Sequence, residues 1–282
     1  MGVVLITGCS TGIGLRTAVA FARAGDTVVA SMRNTGKADA LRKAAADAGV
    51  EVDVVALDVT VDASARAAVD DVLARHGRID VLVNNAGVGL SGAVEDFPEE
   101  QARTALETNF WGPVRMARLV LPGMRAQGSG VIVNISSITG RLPAFPCYGF
   151  YAAGKHAIGA LSESLAAEVA PFGIRVLSIE PGYYDTALSD TVDMLAAELD
   201  ELSPYAGVSH VMLDFSKNAL VNGGDPNDVA DAVVAAVADP ASPLHVHVGE
   251  DAEAFLALWE QTRTFESFVP AANAMLFGGD AG

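Results

Sequence analysis

Cysteine is almost missing: the 282 residues hold two, Cys9 and Cys147. Two cannot build a disulfide framework, so a reducing cytoplasm is the expected setting. Positive charge is also scarce, 18 Lys and Arg against 35 Asp and Glu, a net charge of −17. Phosphate backbones and anionic lipid surfaces are gripped by clustered Lys and Arg. No such cluster occurs, which argues against nucleic acid or membrane as the main partner. No uncharged apolar run reaches the ~18 residues of a membrane span, and the first β-branched run starts almost at Met1, leaving no room for a signal peptide. A Ser-, Pro- or Gly-rich linker is lacking too, so residues 1–282 are read as a single domain.

What the chain has in quantity is apolar side chains, 51%, arranged in a rhythm. Short β-branched runs alternate with longer Ala-rich ones, the pattern of a doubly wound α/β fold in which a parallel sheet carries helices on both faces. The strands read as fully buried: Val3 to Thr7, Thr27 to Met32, Val52 to Leu57, Ile79 to Asn84, Val131 to Ser136, Ile174 to Ile179 and a weaker Leu244 to Val248. Helices are expected at about 12 to 24, 36 to 48, 62 to 76, 99 to 126, 150 to 171, 226 to 238 and 251 to 266. Asp225 followed by Pro226 supplies an N-cap oxygen and then a residue already set at helical φ. The stretch from Pro181 to Gly224 breaks the rhythm, and about 183–224 is read as a substrate lid. Residues from about 250 to 282 form a C-terminal extension.

At the end of the first strand stands TGCSTGIG, with Gly8, Gly12 and Gly14 leading into an amphipathic run. Residues without Cβ permit a tight turn and close approach of a pyrophosphate, and the following helix N-terminus supplies N–H donors. The same residues contain GxSxG at Gly8 to Gly12, the pattern of a hydrolase nucleophile elbow, with His245 or His247 as conceivable bases. Against that reading, no earlier strand exists to bring an oxyanion-hole loop. Gly149 to Lys155 reads GxxxxGK, but His156 stands where a P-loop needs Ser or Thr, and no strand precedes it.

Tyr151 and Lys155 are four apart in a helical run and so share a face. A phenol titrates near ~10, and one ammonium about 5 Å away would lower it by about two units, making an acid/base near neutral pH. Ser136 and Ser137 end the preceding strand at the carboxyl edge of the sheet, where open α/β folds bind ligands. Asn84, Asn85, Ala86 and Gly87 end the strand before it at the same edge. Asn109, inside a helical run, is a polar residue of poor propensity available to a backbone partner.

Six motifs in order now make the chain resemble the short-chain dehydrogenase/reductase family: TGxxxGIG at Gly8 to Gly14, NNAG at Asn84 to Gly87, Asn109, the ISS strand end, YxxxK at Tyr151 to Lys155, and PGxxxT at Pro181 to Thr186. The resemblance covers about residues 1 to 190. It implies a Rossmann-like oxidoreductase in which Tyr151 is the general acid/base, and Lys155 lowers its pKa and holds the nicotinamide ribose. Ser137 would hydrogen-bond the reacting oxygen, and Asn109 would anchor a relay water. It further implies a dinucleotide held by Gly8, Ser10, Thr11, Gly12, Ile13, Gly14, Asp58, Val59, Asn85, Ala86, Gly87, Tyr151, Lys155, Pro181, Gly182 and Thr186. The family's serine usually precedes its tyrosine by thirteen residues, whereas Ser137 precedes Tyr151 by fourteen. One extra residue near Pro143 accounts for this, and Ser136 is an alternative to Ser137.

In the family a carboxylate at the end of the second strand repels a 2′-phosphate. Here Met32 occupies that place and Arg33 follows, so NADP(H) is expected, with NAD(H) possible. Val88, Leu90, Pro143, Phe145, Cys147, Tyr148, Tyr183 and Tyr184 are the pocket candidates, suited to a fairly hydrophobic carbonyl or alcohol. The wording of TGCSTGIG, ASMRN and GRLPAFP is similar to hydroxysteroid and retinol dehydrogenase-like members. No metal is expected, since His245 and His247 have no third ligand nearby in sequence. The resemblance also implies a homodimer or homotetramer, paired through the helices at 99 to 126 and 150 to 171. The tail either covers the pocket or extends an interface. A non-catalytic dinucleotide sensor of the same fold is the alternative, which has no need of the proton-relay residues.

Overall fold

Alternate residues of a strand face opposite sides of a sheet, and this sorts the core. In strand β1, Val3–Ile6, Val4 and Ile6 join one apolar cluster while Val3 and Leu5 join the other. The computed structural model describes residues 2–186 and 202–277. After β1 come α1 Gly12–Arg23, β2 Thr27–Met32, α2 Asp39–Asp47, β3 Asp53–Ala56, α3 Asp62–His76 and β4 Val81–Asn84. Next follow α4 Glu99–Leu106, α5 Gly112–Gln127, β5 Gly130–Ile135, α6 Gly149–Val169 and β6 Ile174–Pro181. The described chain closes with α7 Ala206–Val221, α8 Pro226–Ala238, β7 His245–Val248, α9 Glu250–Thr262 and α10 Phe265–Phe277.

The seven strands form one sheet in the order β3-β2-β1-β4-β5-β6-β7, and every pairing is parallel. This is the doubly wound fold read from the alternation. On one face α1, α2 and α8 contribute Leu15, Phe21, Leu41, Val229 and Val233. On the other, α3, α5 and α6 contribute Val69, Val72, Met116, Val120, Met124 and Leu165. Strand order reverses between β1 and β4, and the splayed loops at such a switch point open a crevice. Gly8 follows β1 there, and Asn85 to Gly87 follow β4.

Three expectations need correction. The strands are not all fully buried: β3 is partly exposed along its length and so is most of β7, because an edge strand has one neighbour instead of two. The helix expected at 99 to 126 is broken by a π-turn, Glu107–Trp111. The region read as a lid contributes the helix α7, which buries Met212, Leu213 and Leu220 and lines the smaller pocket through Ser216 and Leu220; residues 187–201 of it lie outside the described residues. The helix expected at 251 to 266 stops at Thr262, where Arg263 turns left-handed at φ 56, and α10 follows. Both α9 and α10 belong to a third apolar cluster with Ile138, Leu142, Phe145, Tyr148 and Met212.

Candidate active site

The crevice is a cavity of about 640 Å³. One end is made almost wholly of backbone. Gly8 sits at φ 74, and a Cβ there would stand 2.8 Å from Ala86 Cα. Gly14 leaves room for the Asn85 amide, which donates to the carbonyls of Thr7 (2.9 Å) and Gly8 (3.0 Å). Thr7 answers: its hydroxyl accepts from the N–H groups of Asn85 and Ala86, both at 3.0 Å. Two loops at the switch point are thus laced together, and Gly12, at φ 58, faces across the crevice to Thr186. Thr11 caps α1 without a side-chain hydrogen bond, and no acidic residue lies in the first turn. The helix therefore presents N–H donors and its positive dipole end to the cavity, which fits a pyrophosphate.

Further out, Met32, Arg33, Asp58 and Val59 line the same cavity. Met32 is buried. Arg33 is exposed and has no ion pair or hydrogen bond among the described residues. One oxygen of Asp58 accepts from the Thr60 N–H (2.9 Å) and hydroxyl (2.7 Å), which fixes the loop, and Val59 is held by Arg115 donating to its carbonyl. No carboxylate stands at the end of β2 to repel a 2′-phosphate.

The other end carries Ser137, Tyr151 and Lys155, all lining the cavity. A buried polar chain sets the helix that bears the last two. Asn84 donates to Asn134 (2.9 Å), Asn134 to Ser162 (2.9 Å), and Ser162 to the Ile158 carbonyl (2.7 Å). This ties β4 and β5 to α6. The Lys155 ammonium donates to the Ile135 carbonyl at 2.9 Å and lies 5.6 Å from the centre of the Tyr151 ring. Burial lowers its pKa to about 8. Burial pushes the Tyr151 phenol up to about 12, against the hydrogen bond with Ser137 that pulls it down. The expected lowering by Lys155 is absent because the ammonium is turned to a backbone carbonyl and the ring face rather than to the hydroxyl.

Ser137, not Ser136, meets Tyr151: the Ser136 hydroxyl is directed to the Lys155 carbonyl at 3.5 Å. The fourteen-residue spacing is absorbed in the loop before α6, where Cys147 adopts φ 64 and its carbonyl accepts from Gly92 N–H at 2.8 Å. Asn109 lies in the π-turn, with its side-chain amide paired to Val88: Oδ1 accepts from Val88 N–H and Nδ2 donates to Val88 O, each at 2.9 Å. The side chain thus holds the loop after β4 in place. Pro181 and Gly182 line the cavity beside Tyr151; Gly182 N–H donates to Val248 O, and Tyr183 N–H to Asp251.

Of the pocket candidates, Leu90, Tyr148 and Tyr183 line a smaller pocket beside Ser137 and Tyr151, and Val88 lines the main cavity. Phe145 packs on Phe255 and Phe268, Tyr184 belongs to the sheet core while its edge borders the cavity, and Cys147 faces Ser209. The hydrolase reading fails on topology, since β7 lies four strands from β1, about 19 Å at ~4.8 Å per strand. His245 and His247 are instead bound to the buried Glu180 at 2.7 and 3.1 Å. Burial alone would raise the Glu180 pKa, but hydrogen bonds from His247, His245 and Ser178 hold it below the usual carboxylate range. No metal-binding group of three or more side chains exists among the described residues.

A family model described as short chain dehydrogenase matches residues 2–194. The chain belongs to this family. It is 34% identical over 286 residues to bovine retinol dehydrogenase 8, covering 97% of this chain and 90% of the relative. A short-chain dehydrogenase structure from Streptomyces avermitilis superposes with a TM-score of 0.79 at 37% identity, covering 99% and 98%. Other solved members include one from Burkholderia phymatum in complex with NAD (TM-score 0.81, 26% identity, 93% and 94% covered). A metagenomic short-chain oxidoreductase in complex with NADP gives 0.68 at 29% identity, with 88% and 96% covered. The chain is an oxidoreductase of the short-chain dehydrogenase family, whose fold binds NAD or NADP. No helix among the described residues is long and apolar enough to cross a membrane.

Sequence reasoning missed Thr7, Asn134, Ser162 and Glu180. Thr7 and Asn134 are polar residues at or inside otherwise apolar strand runs, a conflict with the pattern that could have marked them. Glu180 carried the same signal, a carboxylate closing a buried strand.

Proposed function

We propose that the protein is an NADP(H)-dependent oxidoreductase that interconverts a ketone or aldehyde and its alcohol, with Tyr151 as general acid/base. The observation that carries this reading is that Tyr151 and Lys155, one turn apart on α6, open with Ser137 onto the same cavity whose far end is the uncapped N-terminus of α1. Gly8 to Gly14, Asn85 to Gly87 and Thr186 would cradle the dinucleotide, and Lys155 would reach its ribose. The nicotinamide, when bound, supplies or accepts the hydride. Ser137 and Tyr151 would hold the carbonyl oxygen between two hydroxyls, and Tyr151 would pass its proton to that oxygen in reduction and retrieve it in oxidation. Held neutral by burial, the Tyr151 phenol carries the proton that reduction needs.

Tyr151→Phe is expected to cut turnover by about 10²–10⁴ while leaving NADPH binding, read by its fluorescence, within a factor of a few. Equal turnover by the variant would refute the assignment. The preference for NADP(H) rests on Arg33, a guanidinium with no partner among the described residues, next to Met32 where a repelling carboxylate would stand. Arg33→Ala should lower the NADPH-to-NADH ratio of kcat/KM by about tenfold, the scale of one charge-assisted hydrogen bond; an unchanged ratio contradicts it.

A further inference from the structure

Beside Ser137 and Tyr151 lies a pocket of about 60 Å³, space for about two waters. Leu90, Ile138 and Leu220 form its apolar walls, and Tyr148, Tyr183 and Ser216 bring hydroxyls to it. The direction of the hydrogen bonds there is fixed. Ser216 Oγ donates to the Met212 carbonyl at 2.6 Å, so its only proton is committed. The 2.6 Å contact between Tyr148 and Ser216 must then be donated by Tyr148. With its proton spent, the buried Tyr148 oxygen has only lone pairs to offer to the pocket.

Tyr183 stands next to Tyr148, and the two hydroxyls influence one another. Tyr183 donates to Tyr148, which takes one lone pair of Tyr148 and leaves the Tyr183 oxygen, its own proton spent, as an acceptor beside it. Burial raises the pKa of Tyr148, against the hydrogen bond with Ser216 that lowers it, and both phenols stay neutral at physiological pH. A neutral buried acceptor is left unsatisfied by a methyl or ether group and satisfied by a hydroxyl. Tyr148 is the N-cap residue of α6, three residues before Tyr151, with the ring centres 6.2 Å apart, so the group it meets is carried close to the reacting carbon.

We infer that the Tyr148–Tyr183 hydroxyl pair, keyed by Ser216, is a specificity element that accepts a hydrogen bond from a hydroxyl next to the reacting carbonyl, making an α-hydroxy ketone, or the matching diol, the preferred substrate class. This rests on the carbonyl binding at Ser137 and Tyr151 as proposed above. It narrows the expectation of a fairly hydrophobic carbonyl or alcohol: the small pocket takes the hydroxyl.

The test measures kcat/KM of the full chain with NADPH for α-hydroxyacetophenone, α-methoxyacetophenone and propiophenone, which differ only in that substituent. The wild type should favour the hydroxy ketone over the other two by about tenfold. Tyr148→Phe should compress that ratio to within about threefold. Ser216→Ala should do something a loosened helix could not: freed from Ser216, the Tyr148 proton can turn into the pocket, and the methoxy ketone should gain on the hydroxy ketone. Turnover of all three ketones without discrimination, or a ratio unmoved by both variants, overturns this inference alone. No turnover of any ketone despite normal NADPH binding overturns the redox reading and this inference together.

Discussion

The wall of the cavity formed by residues 7–14 and 84–87 is made of backbone, laced by Thr7 and Asn85 and opened by glycines at φ 74 and 58. The apolar cluster of α7, α9 and α10, which shares Ile138, Tyr148 and Tyr183 with the smaller pocket, is a wall made of side chains, with Phe145, Phe255, Phe268 and Trp259 stacked edge-on or tilted at 5.5–6.2 Å. A backbone wall demands particular residue types at fixed positions, because glycine takes those angles without strain and, at Gly8 and Gly14, leaves the space a Cβ would fill, while only a short hydroxyl or amide reaches those N–H and C=O groups. A side-chain wall demands volume and apolarity, which many combinations supply. The first therefore leaves a motif and the second leaves none.

Substitutions can separate the two walls. The largest effect is expected from Phe268→Ala, which empties a fully buried site and should cost about 3–5 kcal/mol. Hydrogen exchange should then quicken in α9 and α10 while the glycine loop keeps its protection and NADPH still binds. Uniform acceleration over both walls would show that they unfold as one unit. Thr7→Val keeps the shape but leaves the Asn85 and Ala86 N–H groups without their acceptor, a loss of about 1–3 kcal/mol. Its signature is weaker dinucleotide binding with α9 and α10 unaffected; an unchanged affinity would mean that the lacing does not shape the cradle.

The smallest effect at neutral pH belongs to Lys155, which lines the main cavity. Its native pKa of about 8 is below the ordinary 10.5, so between these values the unfolded chain binds more protons than the native one. Stability without nucleotide should rise from about pH 8 toward 10.5 from this residue and be flat below pH 8. Lys155→Met should remove that rise in denaturant titrations, and a slope identical to the wild type would place the ammonium in solvent.

Much of the fold was legible because strand runs and helical runs differ in period, and because Gly8, Gly12 and Gly14 mark a turn that little else can make. Tyr151 and Lys155 were legible for a related reason, since four residues make one helical turn wherever the helix sits. The break at Glu107–Trp111 was not: a π-turn has no strong local preference, and Asn109 is fixed there by Val88, twenty-one residues earlier. The helix α7 was hidden by the tyrosines and methionines that suggested a lid, since its burial depends on a cluster assembled from residues 138 to 272. Glu180 with His245 and His247 was equally invisible, because 65 and 67 residues separate partners that β6 and β7 place side by side.

By itself the sequence determined the parallel sheet, its switch-point crevice and the identity of the groups at its rim, because those depend on local periodicity and on residue types that backbone geometry makes irreplaceable. Only the tertiary structure decided which way the Lys155 ammonium points, which serine reaches Tyr151, and which protons the Tyr148 and Ser216 hydroxyls have already given away. Each of these depends on distances between segments far apart in the chain, and a hydrogen bond is made or lost over a few tenths of an ångström.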